Sequence, residues 1–220
     1  MPTTSLFGLG SSSHAGCIRQ PVESGLTLST MRNLVRTSSV AAVLIAALAI
    51  GSPSGKLPAH YETATLAGGC FWGLQESLRQ IPGVIQTTVG YTGGTTPNPT
   101  YETVCAGKTG HAEAVQVIFD PAQLSYEELL NRFFSVHDPT SPRHPGDYVK
   151  AQYRSAIFYH GEEQRRIAGR VKEKVGQSGK WSNPVVTEIT PATEFYPAEA
   201  YHQDYLQRIS GAHTCRIVRN

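Results

Sequence analysis

Residues 62–83 read ETATLAGGCFWGLQESLRQIPG, and the rest of the chain is organised around this stretch. Residues 63–67 predict a short strand that runs into Gly68-Gly69. Residues 71–80 predict a helix, stopped by Ile81-Pro82-Gly83. Cys70 therefore falls at a strand-to-helix turn. Outward from there, the β-branched run 84–91 predicts a strand, and 92–100, with its glycines, prolines and asparagine, predicts a loop. A second strand is expected over 111–119. Ser125 and Glu128 form a capping-box pattern that opens a helix over 126–137. Residues 138–150 are expected to form a long loop with three prolines, of a length that is usually either functional or disordered. A strand over 155–159, an amphipathic helix over 162–177, a strand over 185–189 and a short helix over 198–208 complete the pattern. The tail, 209–220, has no periodicity. One mixed α/β domain of about 160 residues accounts for all of this, a normal single-domain size.

Composition narrows the function. The 220 residues are 40% hydrophobic and 16% charged, with 19 basic and 17 acidic side chains, a globular profile without a field suited to a polyanion. Nucleic acid is therefore not an expected partner. Four cysteines, Cys17, Cys70, Cys105 and Cys215, are too few and too scattered for a small disulfide scaffold.

Residues 1–61 read as a leader. They hold one acidic residue, Glu23, against Arg19, Arg32, Arg36 and Lys56. From Met31, two arginines precede the apolar run 40–50 and the small-residue segment 51–55, the layout of a secretory signal peptide. The run is shorter than the roughly 20 residues that span a bilayer. Translation starting at Met31 and cleavage after Gly51 would fit this layout, so export to a periplasm, cell envelope or exterior is expected. A transit peptide, with a cytoplasmic or organellar enzyme, and a signal anchor are the alternatives. Without the leader, 15 basic and 16 acidic residues remain, a net charge of −1.

Cys70 is the leading candidate for chemistry. At the first turn of a helix it faces unpaired N–H groups and the positive end of the helix dipole, both of which favour thiolate. Phe71 and Trp72 supply an aromatic wall. On position alone, a buried cysteine acting as a small hydrophobe remains open. Glu113 shares a strand face with Val115, Val117 and Phe119, and the opposite face is apolar too. It is either at a wet strand end or desolvated, with its pKa raised until it is a proton donor near neutrality. Tyr101 ends the Pro/Asn loop and Tyr153 stands between the long loop and a strand; tyrosines are more often core fillers than donors. Cys105 reads as a space-filling residue, whereas Cys215, in the aperiodic tail, can reach another sulfur. Eight histidines are scattered, without Cys-x-x-Cys or His-x-x-x-His spacing, so no metal site is expected. Nucleotide and serine-hydrolase motifs are absent from the sequence.

Seven blocks in order resemble the methionine sulfoxide reductase A family: Gly69 to Gly73, Val89 to Gly94, Asn98 to Tyr101, Gly110 to Val115, His137 to Thr140, Gln152 to Ser155 and His202 to Leu206. They span roughly 62–217. The resemblance implies a two-layer α+β sandwich with a mixed sheet and a ferredoxin-like core. It implies reduction of the S-epimer of methionine sulfoxide, free or in proteins, as repair after oxidative stress. Cys70 would attack the sulfoxide sulfur, Glu113 would protonate its oxygen, Tyr101 and Tyr153 would hold that oxygen, and Phe71 and Trp72 would cradle the methyl group. The resulting sulfenic acid would condense with Cys215. An external dithiol, thioredoxin or a thioredoxin-like partner, would then reduce the disulfide; no metal or organic cofactor is implied, and a monomer is expected.

Cys105 lies in a family-like block but is not carried over as catalytic, and with one cysteine in the tail no second disulfide relay is expected. Cys17 drops out with the leader. One departure stands out: where the family places an Asp five residues before Tyr153 and a Gly two residues later, this chain has Tyr148 and Lys150, with Asp147 displaced by one position as a candidate replacement. Two other classes are compatible with parts of the pattern. A cysteine hydrolase would need a His and an Asn or Asp to converge on Cys70. A non-catalytic sulfoxide-binding protein would keep the fold without turnover.

Overall fold

The structure, a computed structural model, describes residues 61–140 and 148–209. The expected leader with Cys17, the candidate Asp147, and the tail cysteine Cys215 lie outside the described residues.

Strand β1 (Glu62–Gly68) leads into helix α1 (Phe71–Arg79), and strand β2 (Val84–Thr92) follows. A short helix, α2 (Tyr101–Cys105), precedes strand β3 (Ala112–Phe119) and helix α3 (Tyr126–Ser135). A 3-10 segment, Tyr148–Tyr153, delivers the chain to β4 (Ser155–Tyr159); α4 (Glu162–Gln177) and β5 (Glu188–Pro191) come next. Strand β6 (Tyr196–Pro197), a 3-10 turn at Ala200–His202 and helix α5 (Tyr205–Arg208) complete the described chain.

The sheet order is β5-β4-β1-β3-β2-β6. Neighbouring strands are antiparallel except for β4 and β5, which run parallel. The central order β4-β1-β3-β2, with α1 between β1 and β2 and α3 between β3 and β4, is the expected ferredoxin-like core. Leu66, Val115, Val117, Phe119 and Ile157 bury one sheet face against Leu74 and Leu78 of α1, Leu129, Leu130 and Phe133 of α3, and Ala168 and Val171 of α4. The opposite face carries small residues, Ala67, Ala112, Ala114 and Ala156, with Phe158 and Phe195 packed against them. Apolar burial on the helical face supplies most of the driving force.

Three local expectations change. The strand expected at 185–189 pairs only from Glu188 onward; before that, the Val186 N–H is taken by the Pro139 carbonyl and Thr187 is buried against Ser155. The helix expected over 198–208 is broken, because Gln203 points its amide at the edge of β2. It accepts from Val89 N–H at 3.0 Å and donates to Val89 O at 2.9 Å. Asp204 then takes φ +51°, a left-handed conformation. Tyr101 does not end a loop but opens α2. Thr100 accepts from Thr103 N–H while the Thr103 hydroxyl accepts from Thr100 N–H, a reciprocal cap with Thr in the place usually held by Glu or Gln.

Candidate active site

Strand β1 delivers Gly68, Gly69 turns the chain at φ +89°, and Cys70 caps α1 in extended conformation with no side-chain capping bond of its own. A side chain at Gly68 would have no room: a Cβ there would lie 2.9 Å from Phe133 Cε2 and 3.0 Å from His137 Cγ. That ring is fixed in turn. His137 Nδ1 lies 2.8 Å from Phe133 O and its Nε2 2.8 Å from Ser155 Oγ, and burial pushes its pKa down to about 4. Neutral His137 therefore donates from Nδ1 and accepts at Nε2.

Glu113 lies on the helical face of β3 and is only 1% exposed. The expectation of desolvation holds over that of a wet strand end. Its Oε2 accepts the Phe71 N–H at 3.1 Å, one of the unpaired donors of the helix start. Burial raises its pKa to about 8, against a smaller lowering by that bond. The acid is thus mostly protonated at neutral pH, with one oxygen held by the backbone and the other left to carry the proton.

The tyrosine hydroxyls share this environment. Burial, then the Glu113 and Cys70 charges, hold Tyr101 above its ordinary range. Tyr153 is raised by burial, then by Glu113, Tyr101 and Cys70. The structure thus brings Cys70, Glu113, Tyr101 and Tyr153 together. Arg154 anchors the segment carrying Tyr153, through Ala151 O at 3.0 Å and Glu188 at 3.2 Å.

Trp72 stacks on Tyr205, with centroids 3.8 Å apart and planes 8° from parallel, and donates from Nε1 to His202 Nδ1 at 3.1 Å. Phe71 has no exposed surface and Trp72 keeps 6%. Sequence reasoning gave no role to Glu199, His202 or Tyr205. Glu199 accepts the Tyr101 N–H at 2.9 Å and the Tyr91 hydroxyl at 2.9 Å. Buried His202, its pKa lowered to about 4 by desolvation, packs 4.4 Å from the Tyr101 ring. His202 and Tyr205 fall in the last quoted block; Glu199 carries no local signal.

One expectation is corrected. Cys105 is not an isolated space-filler but is disulfide-bonded. Among the described residues, no group of three His, Cys, Asp or Glu side chains could hold a metal ion. No described helix is long and apolar enough to cross a membrane.

Cys70 thus stands at a helix start beside a buried carboxylic acid bound to the next backbone amide, on the sheet of an α+β, ferredoxin-like fold. Residues 62–220 match the model of the peptide methionine sulfoxide reductase family. A peptide methionine sulfoxide reductase MsrA from Methanosarcina acetivorans is 54% identical over 147 residues, 67% of this chain and 78% of that protein. The reduced form of Mxr1 from Saccharomyces cerevisiae superposes with a TM-score of 0.67 at 35% identity, covering 74% of this chain and 94% of the other. Mxr1 in complex with Trx2 gives 0.52 at 27% identity, over 77% and 97% of the two chains. The chain belongs to the peptide methionine sulfoxide reductase family, a family of oxidoreductases.

Proposed function

We propose that this protein reduces the S-epimer of methionine sulfoxide, free and within proteins, to methionine. The observation that carries this reading is the buried Glu113, protonated to about pH 8 and tied to the amide beside Cys70. Cys70 thiolate attacks the sulfoxide sulfur while Glu113 gives its proton to the oxygen, and Tyr101 and Tyr153 hold that oxygen by hydrogen bonds. Methionine leaves, and Cys70 becomes a sulfenic acid, oxidised by the two electrons the substrate has gained. Cys215 condenses with it, releasing water and forming a disulfide. Trp72, braced by Tyr205 and His202, presents its remaining surface to the methyl group, with Phe71 packed beneath.

A dithiol must reopen the disulfide. The likeness to Mxr1, solved with Trx2, supports a thioredoxin-like donor. The charge and apolar layout of residues 31–55 supports export, which places that donor on the far side of a membrane.

The test is mass spectrometry of the protein with the S and R epimers of a blocked methionine sulfoxide, without and then with dithiothreitol. Methionine from the S epimer alone, with turnover on adding reductant, is expected. Retained binding without any methionine would favour a non-catalytic sulfoxide-binding protein, and an acyl-enzyme with an ester probe would favour a hydrolase.

A further inference from the structure

Tyr101 opens α2 and Trp72 lies in the first turn of α1, so two walls of the site stand on separate helices. The chain from Glu199 to His202 touches both. We propose that Glu199 and His202 are a positioning pair that locks the oxygen-holding Tyr101 to the methyl-holding Trp72 and thereby makes the enzyme selective for one epimer of the sulfoxide. The proposal rests on the reductase reading above and deepens it.

The pair reaches both walls through a continuous set of contacts. Glu199 Oε1 accepts the Tyr101 N–H and its Oε2 the Tyr91 hydroxyl, each at 2.9 Å. Burial opposes ionisation of Glu199, but these bonds outweigh it and hold the carboxyl below its ordinary range. The indole Nε1–H of Trp72, a donor only, bonds to His202 Nδ1 at 3.1 Å. His202 therefore accepts at Nδ1 and carries its proton on Nε2. That Nε2 has no hydrogen-bond partner among the described residues and lies 4.0 Å from Glu199 Oε2. The carboxylate charge thus favours the one neutral tautomer that can receive the Trp72 indole. The His202 ring has no exposed surface, and its centroid lies 5.2 Å from Phe71, 5.6 Å from Trp72 and 4.4 Å from Tyr101. The segment is pinned on both sides: Ala198 N–H donates to Val89 O at 2.9 Å, and Asp204 N–H donates to Gln75 Oε1 at 3.0 Å.

Stereochemistry gives this link its function. A sulfoxide sulfur carries an oxygen, a methyl, a chain carbon and a lone pair, and the two epimers are mirror arrangements of these four. Holding only the oxygen, or only the methyl, leaves the sulfur free to rotate, so either epimer can turn a reactive face to Cys70. Holding both leaves two directions, which the chain and the lone pair exchange between epimers. Only one epimer then sends its chain out to solvent while its sulfur faces the thiolate. Selectivity therefore depends on the fixed relation between Tyr101 and Trp72 more than on either ring alone. Neither Glu199 nor His202 needs to touch the substrate for this.

The experiment measures methionine release from the S and R epimers of a blocked methionine sulfoxide by the full-length protein, with dithiothreitol as reductant, and compares the R-to-S ratio of kcat/KM. His202→Phe fills the space but leaves the Trp72 indole without its acceptor, and its kcat/KM for the S epimer should fall by roughly 10–100-fold, mainly through KM. Its R-to-S ratio should rise by about 10-fold or more. Glu199→Gln still accepts the Tyr101 N–H but no longer selects the His202 tautomer, so its ratio should rise too, by a smaller factor. His202→Asn restores an acceptor for the indole and should bring the ratio back toward wild type. Because the two residues act on Trp72 in series, Glu199→Gln combined with His202→Phe should fall short of the product of the single effects by about 3-fold or more. A variant that merely folds less well loses active molecules and slows both epimers alike. An unchanged ratio in Glu199→Gln and His202→Phe therefore overturns the positioning role, as does an equal rise in His202→Asn and His202→Phe. Where His202→Phe does not fold, the ratio in Glu199→Gln decides alone. Failure of the wild-type protein to reduce either epimer overturns the reductase reading itself, a result distinct from the others.

Discussion

The backbone N–H of Phe71 donates to Glu113 Oε2 at 3.1 Å, joining the first residue of α1 to β3 across 42 positions of sequence. This bond does two things at once. It satisfies an orphan donor at the helix start, and it orients a carboxyl that burial keeps protonated. Helix dipole and neutral acid therefore converge on the same sulfur-bearing turn.

Glu113→Gln keeps the shape and the acceptor for Phe71 N–H but removes the transferable proton. Single-turnover methionine release should slow by roughly 10²–10⁴-fold, the range for losing a general acid. In the wild type the rate should fall as pH rises through about 8, where Glu113 ionises, and this limb should vanish in the variant. Asp147→Asn should cost much less; equal losses for the two variants in one kinetic series would refute this division of labour.

Stability should carry the same signature. Glu113 holds its proton to about pH 8 in the fold and to about 4.5 in its ordinary state. Between these values the unfolded chain gains an ionisation the fold resists, so wild-type stability falls as pH rises through the window. Below it both states are protonated and the penalty disappears. Glu113→Gln should therefore be more stable than wild type near pH 7, by on the order of a few kcal/mol, with the gain shrinking toward pH 4. Urea midpoints across that range would decide it, and a pH-independent difference would count against a buried neutral acid.

Two histidines act in the opposite direction. His137 and His202 are held neutral by burial, with pKa values of about 4 against an ordinary 6.5. The stability they secure is complete above about 6.5 and is lost as pH falls through about 4. Acid unfolding of Glu113→Gln, which has no opposing carboxyl at that site, should therefore set in across this window; a midpoint flat from neutrality down to 4 would contradict the neutral assignment.

Local pattern was enough where local forces decide. The turn from β1 into α1 follows from two glycines, a cysteine and a helical run, and the bounds of α4 match their expectation at Glu162–Gln177. Desolvation of Glu113 was one of two readings, because strand alternation shows that both faces are apolar but not what lies over them. The remainder depends on distant partners. Gln203 breaks its helix to pair with Val89, 114 positions away. Glu199 reaches Tyr101 and Tyr91 from 98 and 108 positions away, and the bonding of Cys105 depends on a sulfur that no neighbouring residue announces.

The Gly68 position is sterically closed. Gly68→Ala would place a methyl against Phe133 and His137, and overpacking of this kind costs about 1–3 kcal/mol. Because the displaced backbone is the turn that carries Cys70, the variant should also lower the rate of Cys70 alkylation by iodoacetamide in the folded protein. Full stability with unchanged alkylation would show that the pocket yields freely.

The stack of Tyr205 on Trp72 gives a spectroscopic test of the substrate wall. In a Trp181→Phe background, Trp72 is the sole tryptophan. Tyr205→Ala uncovers one face of its indole while the Nε1–H stays bonded to His202, so emission should shift to longer wavelength. The lost ring pair should cost about 0.5–1.5 kcal/mol beyond the area it covered. Tyr205→Phe keeps the ring and should retain both emission and stability. If the wall holds the methyl group, Tyr205→Ala should raise KM for the S-epimer more than it lowers kcat, since a loosened wall weakens binding before it disturbs the Cys70 and Glu113 pair. Unaltered emission in Tyr205→Ala would mean that the two rings are not stacked in solution.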